Sequence, residues 1–257
     1  MSLSNRHYII TGAGSGIGRA IARNLDAAGA KLSLLGRRES ALEETAKMLK
    51  GTPNMASVDI TDREAVNSAF DRAAEQNGPI HGLIANAGVG GPNTPDSPDG
   101  DRFDELIDVN LRGTYHCLRA AERLLANEQE GSRHMVVISS ILARIGVPGY
   151  SGYCASKTAL LGLVRSLALE LAPAGIRVNA ICPGWVDTDM AWEGLDGMAG
   201  ALNITRKDAH QLAMQDVPIG RMGDVSEIAK TVQYLLSPGA DCMIGAALDI
   251  NGGAYMA

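Results

Sequence analysis

The octapeptide TGAGSGIG at residues 11–18 determines how the rest of the chain is interpreted. It follows a short apolar run at residues 8–10 and opens a segment whose apolar residues recur at helical spacing. A helix that starts from such a turn offers free backbone N–H groups and partial positive charge to a phosphate. The pattern predicts a dinucleotide-binding turn, in which Gly12 permits the bend, Gly16 the approach of a pyrophosphate and Gly18 close helix packing. An ordinary structural turn is the alternative.

Beyond this turn, apolar runs typical of buried strands alternate with segments of helical periodicity. Strands are expected at 8–10, 31–35, 55–60, 81–85, 135–139, 177–181 and 247–250, and helices at 17–29, 39–50, 62–77, 103–127, 150–171 and 224–236. The alternation implies βαβ units with right-handed crossovers, hence an α/β fold with a doubly wound (Rossmann) parallel sheet and helices on both faces.

Two long stretches, 88–101 and 184–217, interrupt the alternation. In a doubly wound sheet the ligand lies beyond the carboxyl ends of the strands, so these stretches are expected to form the wall of its pocket. We therefore expect residues 1–257 to form a single domain, with a mobile loop over about 184–217 as a substrate lid.

The composition excludes several classes of protein. Of 257 residues 46% are apolar, as in a globular chain, and 29 acidic against 23 basic residues give a net charge of −6. That charge argues against a nucleic-acid partner, and the lack of an apolar run of roughly 18 residues argues against a membrane span. The four cysteines and five histidines are scattered without metal-ligand spacing, so we expect no metal site, and reduced thiols in the cytoplasm.

Three polar residues are spaced to carry chemistry. Tyr153 and Lys157 stand at i and i+4, on one face of a helix, and Ser140 ends an apolar strand thirteen residues upstream. A phenol with a pKa near ~10 needs a nearby cation to act at neutral pH, which Lys157 would supply by lowering that pKa. Ser140 would donate a hydrogen bond to a substrate oxygen. The alternative is that Tyr153 packs in the core and Lys157 is solvated.

These motifs resemble those of the short-chain dehydrogenase/reductase family. The glycine turn has its pattern T-G-x-x-x-G-x-G, the tyrosine and lysine have its pattern Y-x-x-x-K, and the resemblance spans essentially the whole chain. It implies a catalytic set of Asn110, Ser140, Tyr153 and Lys157. In that set Asn110, from the run DVNL at 108–111, would hold a water in a proton relay to the lysine. An asparagine that caps a helix kink is the alternative.

By the same resemblance, further segments contact the cofactor. The run NAG at 86–88 is similar to the family's N-N-A-G element, with Ala85 in place of the first asparagine. Asp59 and Ile60 match positions that face the adenine, and the segment 183–188 is similar to the one that flanks the nicotinamide amide. The predicted cofactor contacts are Gly12, Ser15, Gly16, Ile17, Gly18, Arg37, Arg38, Asp59, Ile60, Asn86, Ala87, Gly88, Tyr153, Lys157, Pro183, Gly184, Val186 and Thr188.

The end of the second strand indicates which cofactor is used. A carboxylate there would accept hydrogen bonds from the ribose 2′-hydroxyl of NAD, but this chain has Gly36 followed by Arg37 and Arg38. Glycine leaves room for a 2′-phosphate, and a guanidinium can bind it with two hydrogen bonds. NADP(H) is therefore favoured, although NAD(H) is not excluded. The alternative is that the two arginines begin a solvated helix face.

The function expected is hydride transfer between a nicotinamide cofactor and a secondary alcohol or ketone. Analogy with ketoreductases suggests an acyl thioester or a cyclic ketone. Tyr150 has Cys154 rather than a cation at i+4, so it is expected to line the substrate pocket. The predicted substrate contacts are Ser140, Leu142, Tyr150, Met190 and Trp192. Core packing is the alternative for Met190 and Trp192.

Several other functions are considered. A cofactor-binding sensor or scaffold without catalysis would not need Ser140, Tyr153 and Lys157 together. An NAD-dependent hydroxyacyl or alcohol dehydrogenase remains an alternative. By resemblance, reductases of C=C bonds space tyrosine and lysine more widely, and nucleotide-sugar epimerases have a longer C-terminal region. The family resemblance also suggests a homotetramer built on the helices at 103–127 and 150–171.

Overall fold

A single parallel sheet forms the centre of the molecule. The computed structural model describes residues 3–94, 100–126 and 132–256. Within these ranges the strands follow the order β3-β2-β1-β4-β5-β6-β7, and every adjacent pair is parallel. The strands are β1 (His7–Thr11), β2 (Lys31–Gly36), β3 (Asn54–Ser57), β4 (Gly82–Ala85), β5 (Arg133–Ile138), β6 (Ile176–Pro183) and β7 (Ala247–Ile250). The strand order reverses between β1 and β4, which opens a crevice at their carboxyl ends.

Helices cover both faces of this sheet, so the predicted doubly wound fold is confirmed. They are α1 (Gly16–Ala27), α2 (Glu39–Ala46), α3 (Arg63–Asn77), α4 (Phe103–Ile107), α5 (Thr114–Glu122), α6 (Ser151–Leu171), α7 (Asp189–Leu202), α8 (Arg206–Gln215) and α9 (Val225–Leu235). On one face Ile21 of α1 and Ile228 of α9 belong to one buried cluster. On the other face Phe70 of α3, Leu118 of α5 and Leu160 of α6 belong to a second. None of the helices described is long and apolar enough to cross a membrane.

Local side-chain caps explain where two of these helices begin. The Asp62 carboxylate accepts hydrogen bonds from the backbone N–H groups of Glu64 and Ala65 and starts α3. Asp224 accepts from the Ser226 N–H, while the Glu227 carboxylate accepts from the Asp224 N–H. These bonds satisfy backbone donors that a helix start leaves without partners.

The prediction of one continuous α-helix over 103–127 is wrong. It divides into α4, a π-helical turn over Asp108–Gly113, and α5, which ends at Glu122. A Cβ on Gly113 would lie 2.6 Å from Cγ1 of Ile60, so the π-helical turn passes unusually close to the loop after β3. Residue 127 lies outside the described residues, as do residues 95–99 of the expected 88–101 loop.

Two elements are shorter than the sequence suggested. The expected strand 55–60 ends at Ser57, because its partner β2 ends at Gly36, which pairs with Ser57. Val58 and Ile60 are buried without belonging to the strand, which explains why apolar residues recur as far as residue 60. The expected helix 39–50 ends at Ala46.

The lid segment, residues 184–217, was expected to be a loop, and that expectation is wrong. It contains α7 and α8, started by Thr188 and Thr205, whose hydroxyls accept hydrogen bonds from the N–H groups of Ala191 and Asp208. The two helices pack around a small apolar cluster, to which residues beyond α8 also contribute. Its buried members are Leu195, Ala213, Met214, Val217 and Met222.

A buried histidine lies near the amino end of the sheet. His134 of β5 is 1% exposed, and neither ring nitrogen has a hydrogen-bond partner among the described residues. Burial lowers the pKa of His134 to about 4, with Arg177 acting in the same direction and Asp241 in the opposite one. The pKa of His7 is also lowered, chiefly by burial. Both rings are therefore neutral in the folded protein at neutral pH.

Protonation of His134 is expected to destabilise the fold. Between its unfolded pKa of about 6.5 and its folded pKa of about 4, the unfolded chain takes up a proton that the folded chain does not. The free energy of unfolding should therefore fall as pH drops through this window, by about 3 kcal/mol from His134 in total. Urea unfolding at several pH values measures the fall, and the variant His134→Leu should show a shallower one. An equal fall in the variant would assign the effect to other groups.

Candidate active site

The glycine turn is tied to the neighbouring strand at the point where the sheet order reverses. The Thr11 hydroxyl oxygen accepts hydrogen bonds of 3.0 Å from the backbone N–H groups of both Asn86 and Ala87. The Asn86 side chain donates to the carbonyls of Thr11 and Gly12, at 3.1 and 3.2 Å. The ends of β1 and β4 are thus held together directly beneath the crevice.

Two glycines leave no space for a side chain in this turn. Gly12 has φ +65°, and a Cβ there would lie 2.8 Å from the Cα of Ala87. A Cβ on Gly18 would lie 2.2 Å from the Gly12 carbonyl oxygen. The first turn of α1 therefore packs against the end of β1, with its N-terminus at the crevice.

A cleft of about 440 Å³ opens at this N-terminus, beside the ends of β2 and β4. Its lining includes eight of the predicted cofactor contacts: Gly12, Ser15, Arg37, Arg38, Asp59, Ile60, Ala87 and Gly88. Sequence reasoning missed Val89 and Val109, which also line it. No local motif marks these two residues. Val109 reaches the cleft through the π-helical turn.

The remaining predicted contacts lie next to the cleft. Asn86 lies beneath it, and Gly16, Ile17 and Gly18 begin α1. The lid segment approaches from the other side, because a Cβ on Gly16 would lie 3.2 Å from the Thr188 methyl group. Pro183 ends β6, and Gly184 and Val186 lead from there to Thr188.

The end of the cleft beside β2 carries positive charge. Arg37 and Arg38 are exposed, and neither forms an ion pair within the described part of the chain. The Asp59 carboxylate accepts hydrogen bonds from the Thr61 N–H and hydroxyl, at 2.9 and 2.8 Å. The Thr61 N–H is the largest influence lowering the pKa of Asp59, and the charge of Arg37 contributes. A Cβ on Gly36 would meet only Leu42, at 3.4 Å, so space remains beside the arginines.

Ser140, Tyr153 and Lys157 meet at the carboxyl edge of the sheet. Ser140 follows β5, and its hydroxyl oxygen accepts a 3.1 Å hydrogen bond from the Leu142 N–H. The Ser140 hydroxyl also hydrogen-bonds to Tyr153 on α6. The Lys157 ammonium lies 5.7 Å from the centre of the Tyr153 ring and donates to the Ile138 carbonyl at 3.1 Å. The adjacent Ser139 turns away and donates to the Lys157 carbonyl.

The expectation that Lys157 lowers the pKa of Tyr153 does not hold in this structure. Burial raises the pKa of Tyr153, and the hydrogen bond with Ser140 acts in the opposite direction. Burial also lowers the pKa of Lys157 to about 8, so desolvation opposes both charged forms. The Lys157 ammonium is directed at the Ile138 carbonyl instead of the phenol oxygen.

Asn110 lies in the π-helical turn and joins the loop after β4 to α6. Its side-chain oxygen accepts from the Val89 N–H at 2.8 Å, and its amide donates to the Val89 carbonyl and to the Ser156 hydroxyl. Ser156 in turn donates to the Tyr153 carbonyl at 2.8 Å. Sequence reasoning missed Ser156, although its spacing of three from Tyr153 was visible.

The predicted substrate contacts divide into two groups. Met190 lies close to the tyrosine, since a Cβ on Gly90 would lie 3.4 Å from the Met190 sulfur and 3.8 Å from Cε2 of Tyr153. Tyr150 immediately precedes α6, and Leu142 follows Ser140.

Trp192 belongs instead to the packing of the lid segment. Its indole N–H donates to Asp187 at 2.7 Å, and its ring stacks on His210 with centroids 5.4 Å apart. The described residues contain no cluster of three His, Cys, Asp or Glu side chains that could hold a metal ion.

The crevice at the order reversal of the parallel sheet thus lies next to Ser140, Tyr153 and Lys157. The family model described as "Enoyl-(Acyl carrier protein) reductase" matches residues 12–255. The chain belongs to the short-chain dehydrogenase/reductase family, whose members transfer a hydride between a nicotinamide cofactor and a ketone or alcohol.

Relatives of several activities cover nearly the whole chain. The 3-oxoacyl-(acyl-carrier-protein) reductase FabG of Rickettsia prowazekii (strain Madrid E) is 31% identical over 256 residues, which span 100% of this chain and 99% of that protein. The crystal structure of an actinorhodin polyketide ketoreductase with NADPH is 30% identical, with a TM-score of 0.91 and 99% of both chains covered. The crystal structure of an NAD⁺-bound xylitol dehydrogenase is 31% identical, with a TM-score of 0.91. The match covers 98% of this chain and 100% of that one.

The pH dependence of cofactor use should reflect Lys157. Because the pKa of Lys157 is about 8, its ammonium loses its charge above that pH, while Tyr153, with a raised pKa, stays protonated. We expect kcat/KM for the reduced cofactor, which reports groups of the free enzyme, to fall as pH rises through about 8. Initial rates from about pH 6 to about pH 10 at constant ionic strength measure this. A flat profile over the whole range would contradict it.

Proposed function

We propose that this protein reduces the ketone of a 3-oxoacyl thioester, with NADPH as the hydride donor. The observation that carries the proposal is the meeting of Ser140, Tyr153 and Lys157 at the carboxyl edge of the sheet, beside the cleft that the glycine turn opens. Sequence similarity over the whole chain to 3-oxoacyl-(acyl-carrier-protein) reductases supports the substrate class.

Each residue of this set has a role that follows from its surroundings. The cofactor supplies the hydride. Tyr153, whose raised pKa keeps the phenol protonated, donates its proton to the alkoxide oxygen that forms. The Ser140 hydroxyl accepts the Leu142 N–H and lies beside Tyr153, and it would donate its O–H to the substrate oxygen in place of the phenol. Lys157, whose ammonium lies 5.7 Å from the centre of the Tyr153 ring, would hold the nicotinamide ribose of the cofactor.

Asn110 acts by holding the backbone around it, and Gly88 acts by leaving room for its neighbours. The three hydrogen bonds of the Asn110 side chain fix Val89 and α6 relative to each other. A Cβ on Gly88 would lie 3.3 Å from the Lys157 ammonium and 2.9 Å from the Asn110 side-chain oxygen. Asn110 therefore holds the loop after β4 in place beside Lys157. From this position it would also take its part in the proton relay.

The charge and space at the end of β2 support NADPH over NADH. Gly36 provides no carboxylate for a ribose 2′-hydroxyl, and the exposed Arg37 and Arg38 offer guanidinium groups to a 2′-phosphate. Among the solved relatives, the ketoreductase structure contains NADPH and the xylitol dehydrogenase structure NAD⁺.

The proposal extends to assembly, location and the lid. We propose a cytoplasmic homotetramer in which the outer faces of α5 and α6 lie at an interface. The Leu169 side chain on α6 is 76% exposed, and a Cβ on Gly162 would meet nothing within 4 Å. Arg119 of α5 and Glu170 of α6 form an ion pair of 3.1 Å, which joins the two faces. The lid segment would close over Tyr153, with Met190 of α7 facing it, within a single domain.

The variant Tyr153→Phe tests the proposed reaction. It removes the proton donor and little else, so the fold and NADPH binding should persist while kcat falls by about 10²-fold or more. NADPH oxidation is measured with 3-oxoacyl thioesters, cyclic ketones and simple ketones, and NADPH binding by fluorescence titration. The variant Tyr234→Phe, at an exposed tyrosine of α9, is the matched control and should retain most of kcat. Retention of more than about a tenth of kcat by Tyr153→Phe would count against the assigned role.

Cofactor selectivity tests the assignment of the arginines. A charge-assisted contact with the 2′-phosphate is worth roughly a tenfold preference or more, so wild-type kcat/KM should be higher for NADPH than for NADH. Arg37→Ala should weaken NADPH selectively and leave NADH little changed. Arg38→Ala, measured in parallel, identifies which guanidinium binds the phosphate. Equal use of NADH and NADPH by the wild type would show that neither does.

A further inference from the structure

We propose that Arg144 is a positioning residue for Ser140 and that it acts through its ion pair with Asp249 on β7. This inference rests on the proposed role of Ser140. Arg144 stands four residues after Ser140, where the 3₁₀ turn Ile141–Ala143 ends. The pair lies at the carboxyl edge of the sheet, on the side away from the cofactor cleft.

The Arg144 guanidinium is held at three points. Its Nε lies 3.1 Å from one carboxylate oxygen of Asp249, and its Nη2 lies 3.3 Å from the other. Nη2 also donates to the Ala247 carbonyl at 3.0 Å. Planar, fork-like bonding of this kind fixes orientation as well as distance, which a lysine could not reproduce. The two side chains are only 22% and 21% exposed, so solvent screens them less than a surface pair.

A short hydrogen-bonded turn connects this anchor to Ser140. The Ala143 N–H donates to the Ser140 carbonyl at 3.0 Å, and the Arg144 N–H donates to the Ile141 carbonyl at 2.8 Å. The Leu142 N–H donates to the Ser140 side chain at 3.1 Å, which orients the hydroxyl. Because the turn contains only three residues, a displacement of Arg144 must change the position of the Leu142 N–H.

The anchor itself is a rigid part of the sheet. Asp249 pairs in register with Cys182 of β6, which lies between β5 and β7 in the sheet. Arg144 therefore reaches across β6 and fixes the turn after β5 to the edge strand. Thr158 of α6 holds the same turn from the other side through a 3.3 Å bond to the Ala143 carbonyl. The Ser140 hydroxyl is thus oriented by a turn that β7 and α6 hold at its two sides.

A second ion pair provides a matched control. Arg177 of β6 donates to the Asp241 carbonyl at 3.2 Å and to the Gly175 carbonyl, and its side chain is 26% exposed. Its third contact is the ion pair itself, a single approach of 4.0 Å to the Asp241 carboxylate, and it lies at the opposite, amino edge of the sheet. Both Arg144→Met and Arg177→Met should lower the melting temperature, while only Arg144→Met should change catalysis.

A double-mutant cycle with Ser140→Ala tests the proposal. In the wild-type background Arg144→Met should lower kcat about tenfold or more and leave KM for NADPH within about twofold, since misplacement of a catalytic group costs rate. In the Ser140→Ala background the same change should lower kcat less than about twofold, because the hydroxyl it positions is already gone. Asp249→Asn, which keeps the shape, should show a smaller loss with the same dependence on Ser140.

Three outcomes would overturn the proposal. Equal losses from Arg144→Met in both backgrounds would mean that the pair acts independently of Ser140, and an unchanged kcat would mean that it is a surface ion pair. The third readout needs no turnover. Hydrogen exchange at the Leu142 amide should be faster in Arg144→Met and unchanged in Arg177→Met, and the absence of this difference contradicts the proposal. If the wild type reduces no ketone while the Leu142 exchange responds as expected, the proposed function fails and the positioning contact stands.

Discussion

The two hydrogen bonds that the Thr11 hydroxyl oxygen accepts from Asn86 and Ala87 hold the site together. Adjacent parallel strands pair through their backbones only as far as both remain extended, and beyond that point side chains must take over. Thr11 and Asn86 supply those contacts where β1 turns towards α1 and β4 towards the π-helical turn. The cleft and the loop that Asn110 fixes both depend on this junction.

Short stretches of sequence were enough to predict the parts of the site that depend on the spacing of residues along the chain. The glycine turn, the strand before it and the helix after it lie within twenty residues, and each follows from backbone geometry. The positions of Tyr153 and Lys157 follow from helical periodicity, and that of Ser140 from the end of a strand. The doubly wound parallel sheet followed from the alternation of strands and helices and from crossover handedness.

Other features depend on contacts between distant residues and could not be predicted this way. The π-helical turn is stabilised by the contacts of Asn110 with Val89 and Ser156, which lie 21 and 46 residues away. The helix α7 contains Gly194, Gly197 and Gly200, whose low helix propensity hid it, and the apolar cluster with α8 compensates. The pKa of Tyr153 has the opposite shift to the one expected, because burial is a property of the folded chain.

The small apolar cluster between α7 and α8 has an evolutionary consequence. Because α7 and α8 pack on each other around Leu195 and Met214, the segment keeps its shape through contacts that the nucleotide cleft does not supply. Met190, a predicted substrate contact, is 47% exposed and lies outside that cluster. Mutations in the lid segment can therefore change the proposed substrate pocket without changing the residues proposed to bind the cofactor. Such independence makes one scaffold a source of many specificities.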